Sequence, residues 1–209
     1  IWDSITEALN IQKYMTERVL KDFQAKLADQ KNIAISKKNI EFFVSTILQN
    51  STNILEDSIV QAFEELTRHT TDNRLVPEGW AHNSSYMVNK KFIVGHAVTY
   101  DDKWDKKFKK WYEYDFKRLA DLDRSLCYLT GTPYDTCKKI IDTINDAISI
   151  WETKCSSEFF DIVFYKKGSW HFTFKSQKTW VDFNLRATKQ KGWLPPSQEN
   201  KWRQSNNFN

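Results

Sequence analysis

The sequence predicts an α+β fold: an N-terminal layer of amphipathic helices, then helices combined with a small antiparallel sheet. Apolar residues recur at three- and four-residue steps through the first seventy positions. The segment 160–174 instead alternates with period two around a glycine turn. Aromatics make up 15% of the 209 residues, nine of them Trp, against five Gly and four Pro. That makeup suits a large packed core and leaves little room for glycine-rich phosphate loops.

Taken in order, Ile5, Leu9, Ile11, Met15, Val19, Leu20, Phe23 and Leu27 predict one long amphipathic helix across residues 1–30. Ser36 then caps a second helix carrying Ile40, Phe43, Val44, Ile47 and Leu48, and the Asn50-Ser51-Thr52 cluster kinks or restarts it. A third helical stretch carries Ile54, Leu55, Ile59, Val60, Phe63 and Leu66 and ends near Thr70. Residues 71–90 lose the period and hold Pro77 and Gly79, which predicts a long loop. Lys91 to Tyr100 reads as a strand, and Trp104 to Leu129 as a helix stopped by Gly131 and Pro133. Asp135 starts another helix whose apolar stripe runs through Ile140, Ile141, Ile144, Ala147, Ile148 and Trp151. A hairpin over 160–174 follows, with Trp170, Phe172 and Phe174 on one face and His171 and Thr173 on the other. A short helix from Thr179 to Thr188 and an Asn-rich end close the chain. Residues 1–70 thus read as a helical region and 71–209 as an α+β region, the two possible as one continuous domain.

No apolar run approaches the roughly 18 residues of a membrane span. Three cysteines, Cys127, Cys137 and Cys155, form no C-x-x-C pair, so neither a disulfide framework nor a zinc site is expected, and a reducing cytosol is the expected location. The helical pattern is already under way at Ile1, and the natural product is expected to extend upstream. Net charge is +4 and unevenly spread: residues 166–209 hold nine Lys/Arg against two Asp/Glu. This basic stretch is interleaved with Trp170, Trp180, Trp193 and Trp202. Phosphate neutralisation combined with base stacking is what single-stranded nucleic acid requires; a solvated basic face with Trp in the core is the plainer reading.

A search for catalytic chemistry returns no constellation. His69, His82, His96 and His171 form no helical metal-binding pair. Asp101, Asp102, Asp105, Asp115, Asp121 and Asp123 would suit a metal-dependent nuclease, but they alternate with lysines at ion-pair spacing. Cys127 sits in an apolar run, where buried sulfur is the default. No catalytic residue, cofactor or metal is expected.

Two stretches carry a resemblance: Asp123-Arg-Ser-Leu-Cys-Tyr-Leu-Thr-Gly131 with Pro133, and Phe160 to Phe174 with Asn184-Leu185. They resemble an uncharacterised domain family of phages and mobile elements, whose members carry a Tyr/Phe-Lys-x-Gly-x-x-His-x-x-Phe hairpin followed by a short helix with an Asn. Tyr86 to Val94 is similar to that family's central strand, so the resemblance covers residues 80–188. Trp170 departs from the smaller aliphatic residue expected there. The family sometimes accompanies DNA methyltransferases. The resemblance implies a protein similar in kind to phage-encoded inhibitors of bacterial immunity, such as the Gabija anti-defence proteins.

The first expectation is a non-enzymatic, homo-oligomeric protein that binds and inhibits a host defence complex, with Trp80, Trp104, Trp111, Trp193 and Trp202 as interface anchors. The alternative is a nucleic-acid-binding accessory of DNA modification or replication using Lys166, Lys167, His171, Lys175, Arg186, Lys189 and Lys191.

Overall fold

A computed structural model describes residues 2–30, 33–67, 87–94, 98–100, 108–110, 113–166 and 168–192. The architecture is α+β as expected, with six α-helices and a four-stranded antiparallel sheet among those residues.

The expected helix over 1–30 is broken into α1 (Trp2–Ala8), a 3-10 turn (Gln12–Tyr14) and α2 (Glu17–Gln30). Asn10 takes φ +58°, a region that Asn tolerates better than most residues. Three groups at the start of α2 then find partners elsewhere in the chain. The Thr16 N–H donates to Ser58 Oγ at 3.2 Å, the Thr16 hydroxyl donates to Gln61, and the Glu17 N–H donates to Asp121 Oδ1 at 3.0 Å. Tertiary partners therefore set a helix start that periodicity conceals.

Where two helices were expected, α3 runs unbroken from Lys37 to Thr67. Ser36 caps it, its Oγ accepting from the Asn39 N–H at 3.2 Å. The polar cluster does not break the helix because its side chains bond back to the preceding turn. Asn50 Nδ2 donates to the Thr46 carbonyl at 2.8 Å and Ser51 Oγ to the Leu48 carbonyl at 2.7 Å.

The strand expected over 91–100 is two strands in two sheets. β1 (Lys91–Val94) joins the main sheet, while β2 (Val98–Tyr100) pairs antiparallel with β3 (Phe108–Lys110). β3 occupies part of the expected 104–129 helix, and α4 spans Glu113–Thr130. Gly131 at φ +73° ends α4 as predicted. The next helix, α5 (Ile140–Ser149), starts five residues after Asp135 because residues 133–137 form a turn closed on the Pro133 carbonyl. Strand β4 (Lys154–Ser156), which no sequence signal marked, precedes the hairpin β5 (Phe160–Tyr165) and β6 (Ser169–Phe174). Helix α6 (Gln177–Gln190) is capped by Ser176, whose side chain accepts from the Thr179 N–H.

Sheet order is β1-β6-β5-β4. The register pairs Phe92 with Phe172, Phe172 with Ile162 and Trp170 with Phe164, so these rings share one face. That face packs with Ile59 and Phe63 of α3, Leu122 and Leu126 of α4, Ile140 and Ile144 of α5, and Val181 and Phe183 of α6. Trp170 is fully buried, 5.9 Å from Phe116 and 5.8 Å from Phe164 between ring centroids. A smaller cluster joins Met15, Val19, Phe23 and Leu27 to Phe43, Ile47 and Leu55 of α3. Tyr14 and Tyr128 pack against both clusters.

Asn184 ties the sheet to α6. Its Oδ1 accepts from the Val88 N–H at 2.7 Å and its Nδ2 donates to the Val88 carbonyl at 3.1 Å, mimicking a strand partner. Trp180 Nε1 donates to the same carbonyl at 2.7 Å. Replacing Asn184 with Ala leaves the buried Val88 N–H unpaired, which costs about 1–3 kcal/mol. Chemical denaturation of Asn184→Ala should show a loss of that size; an unchanged midpoint would contradict the clamp.

Candidate functional site

Two regions hold the polar chemistry among the described residues, one inside the helical layer and one on the outer face of the sheet. The inner group consists of Asp121 and Asp123 on α4. Asp121 Oδ1 accepts from the Glu17 N–H and from Arg124 Nη1 at 2.7 Å. Asp123 Oδ2 accepts from the Ile140 N–H at 2.7 Å. One helix thus supplies caps for the N-termini of α2 and α5, where carboxylates also complement the helix dipole. Asp121 and Asp123, whose spacing favoured solvated ion pairs over metal ligation, are instead buried caps; the side chains of Asp101, Asp102, Asp105 and Asp115 lie outside the described residues. No group of three or more His, Cys, Asp or Glu able to hold a metal ion occurs among the described residues.

Burial dominates both acids. Desolvation raises the Asp121 pKa against the Glu17 N–H and Arg124, and raises Asp123 to about 7 against its bond from Ile140. The cysteines are insulated in the same way. Cys127 and Cys137 are buried, the Cys127 thiol raised by its hydrogen bond with Cys137 and by desolvation. Burial pushes Cys155 up to about 12. None of these shifts produces the thiolate that a nucleophile needs at neutral pH.

The outer face follows from the same register that buries the rings. Opposite Phe92, Phe172 and Ile162, successive side chains of β1, β6 and β5 alternate outward. One cross-strand row is Ile93, His171, Val163 and Lys154; the next is Lys91, Thr173, Asp161 and Ser156. All are half-buried or exposed. His171 stands off the apolar face, as the alternation predicted, with its ring centroid 4.2 Å from that of Tyr165. Burial first, and Lys91 second, hold its pKa below the ordinary 6.5. His171 therefore offers a neutral ring and not a cation at neutral pH. Lys91, Lys154 and Lys166 are exposed on or beside this face. Its acid, Asp161, accepts from Ser156 Oγ at 2.9 Å.

The other expected nucleic-acid residues divide. Lys175 Nζ donates to the Ser157 carbonyl at 2.9 Å at the end of the sheet. Arg186 pairs with Glu56 at 2.6 Å and Lys191 pairs with Glu64, so these two tie α6 to α3 and are partly consumed in holding the fold. Lys189 is exposed on α6, and Lys167 lies outside the described residues. All five expected interface tryptophans, Trp80, Trp104, Trp111, Trp193 and Trp202, also lie outside them, as do His69, His82 and His96. Trp151, placed on the α5 stripe by periodicity, is instead 66% exposed. Tyr165, Lys91 and Lys154 escaped sequence reasoning; the period-two alternation of β5 was the signal that places Tyr165 outward. Nothing local marked Lys154, whose position depends on the pairing of β4 with β5.

Helices on one face of a small antiparallel sheet, with Lys91, Lys154 and the Tyr165–His171 rings on the other, define an α+β domain. Residues 1–193 match the DUF4942 domain of unknown function, and the chain belongs to that family. Comparison with the curated proteins and with the solved structures gives no match. No helix among the described residues is long and apolar enough to cross a membrane.

The Asp123 shift carries a pH signature. The folded chain holds this proton up to about pH 7, whereas the ordinary value is 3.8. The folded state therefore binds the extra proton between those limits, so this group adds stability as pH falls through 7, with the gain complete below about 4. Asp123→Asn keeps an acceptor for the Ile140 N–H and removes the titration. Between pH 7 and 4 the stability difference should move in favour of the native chain, by at most about 1.4 kcal/mol per pH unit. A constant difference in urea titrations would refute the shift.

Proposed function

We propose that this protein is a nucleic-acid-binding accessory of DNA modification or replication and that it binds through the outer face of the sheet. The observation that carries this reading is the combination on one face of Lys91, Lys154 and Lys166 with the Tyr165–His171 ring pair. Lysines neutralise phosphates and flat rings take bases, and a neutral His171 stacks without the cost of desolvating a charge. The reading is non-enzymatic: the buried carboxylates cap helices, and the Cys127 and Cys155 thiols are held protonated. It places the protein in the bacterial cytoplasm as a product of a phage or mobile element, with the Tyr165-Lys-x-Gly-x-x-His171 hairpin as its binding element.

A second reading, inhibition of a host defence complex by a homo-oligomer, is favoured by a different observation. Phe42 on α3 is 74% exposed, with Ile35 at 59% close by in sequence, and exposed apolar side chains of this kind anchor protein interfaces.

Salt separates the two. Binding of a labelled oligonucleotide, followed by fluorescence anisotropy, should weaken steeply between about 50 and 200 mM salt. Each lysine removed in Lys91→Ala and Lys154→Ala should reduce the log–log slope by about 1. Salt-insensitive binding, or lysine variants with the native slope, would sink the reading.

A further inference from the structure

The fold brings together two thiols that belong to different elements. Cys127 lies near the end of α4 and Cys137 in the turn before α5; both are free, buried and part of the main core. Their side chains are hydrogen-bonded to each other. The meeting has a structural cause. Gly131 at φ +73° turns the chain back after α4, and the Cys137 N–H donates to the Pro133 carbonyl at 3.1 Å. The Ile140 N–H donates to Asp123 Oδ2 at 2.7 Å, which holds the start of α5 against α4 one turn before Cys127. Tyr134 adds a clasp between the same segments, its ring centroid 5.6 Å from the Arg124 guanidinium and 5.0 Å from Lys139 Nζ.

A buried thiol on its own behaves as a small apolar group. Two in contact share a reaction, because the loss of two protons and two electrons joins them. A disulfide sets its sulfurs about 2 Å apart and cannot form between side chains that point away from each other; these two already point together. Access differs between them. Cys127 is fully buried, whereas Cys137 is 7% exposed and stands between exposed Thr136 and Lys138 on the turn. An oxidant therefore meets Cys137 first.

We infer that Cys127 and Cys137 are a redox-sensitive pair, closing into an intramolecular disulfide under a peroxide and reopening under a dithiol. The Cys137 sulfur attacks one oxygen of hydrogen peroxide; the O–O bond breaks, water leaves, and a sulfenic acid remains. The Cys127 sulfur then attacks the Cys137 sulfur, the S–O bond breaks, and the departing hydroxide takes the Cys127 proton as a second water. The two thiols lose two electrons and the peroxide gains them. Its hydrogen bond with Cys137, and burial, keep Cys127 protonated until the sulfenic acid forms beside it, so the reduced pair is inert at rest. In a reducing compartment such a bond is transient and reports on oxidant. Once closed, it ties the end of α4 to the start of α5 and restricts the unfolded chain, which makes the oxidised protein the more stable form.

The test treats the full chain with hydrogen peroxide without denaturant, quenches with catalase and reads the intact mass. A loss of about 2 Da is expected, the two hydrogens of the joined thiols. After denaturation one cysteine should be alkylated where the untreated chain has three, and a peptide map should join Cys127 to Cys137. Dithiothreitol should restore all three, and the oxidised chain should unfold at a higher urea concentration than the reduced one. Cys155→Ser should show the same mass loss, whereas Cys137→Ser should show none and keep Cys127 and Cys155 alkylatable. Three free thiols after treatment, oxygen added at Cys137 without a cross-link, or a disulfide through Cys155 overturns the inference. So does an oxidised chain less stable than the reduced one. These decisive readings all come from the native chain and hold even where a variant misfolds.

Discussion

Burial of one aromatic face of the sheet is the constraint on which the remaining structure depends. Phe92, Phe160, Phe172 and Phe174 meet in a continuous ring cluster, with Phe92 and Phe172 stacked at 5.2 Å and Phe160 and Phe174 tilted at 4.6 Å. Each such side chain removes on the order of 150–250 Å² from water, and pairing adds about 0.5–1.5 kcal/mol beyond burial. A slip of β6 by one residue would turn Trp170, Phe172 and Phe174 outward and bring His171 and Thr173 in. The same force that closes the core therefore fixes which side chains face away from it. The outer face is a consequence of the inner one, and its lysines and rings are held in register by interactions they do not themselves make.

The helical layer is organised by a different economy. Asp121 and Asp123 on α4 reach out to cap α2 and α5, and Ser58 and Gln61 on α3 receive Thr16. Helix starts normally draw their caps from the residue immediately before them. Here Thr16 is buried, and its N–H and that of Glu17 take their acceptors from neighbouring helices. Burying Asp123 is costly, and its raised pKa shows that the cost is only partly offset by one backbone N–H. The carboxylates that look most like chemistry in the sequence thus work as joints between helices.

The hairpin, the Gly131 stop, the Ser36 cap and the burial of Cys127 were all legible, because each depends on a local rule: alternation, positive φ, a side chain three residues from an N–H, an apolar run. The break at Asn10, the unbroken length of α3 and the delayed start of α5 were not. At each of these points the local pattern was ambiguous and a distant group, or a side chain folding back on its own helix, decided the outcome. The candidate face was half legible. His171 and Lys166 could be placed by the period of β6 and its turn, while Arg186 and Lys191 looked equivalent to them by charge. Only the packing of α6 on α3 distinguishes them, since it presents Glu56 and Glu64 to those two cations.

By itself, then, the amino-acid order determined the fold class, the hairpin with its two unlike faces, and the absence of familiar catalytic motifs. These rest on periodicity and residue type, which act over a few neighbouring positions. Tertiary structure alone decided that Asp121 and Asp123 are caps, that β4 completes the sheet beside β5, and that Trp151 stands exposed after α5. Each of those outcomes depends on which groups meet across many residues of chain, and that is set by how the aromatic core closes, not by any local signal.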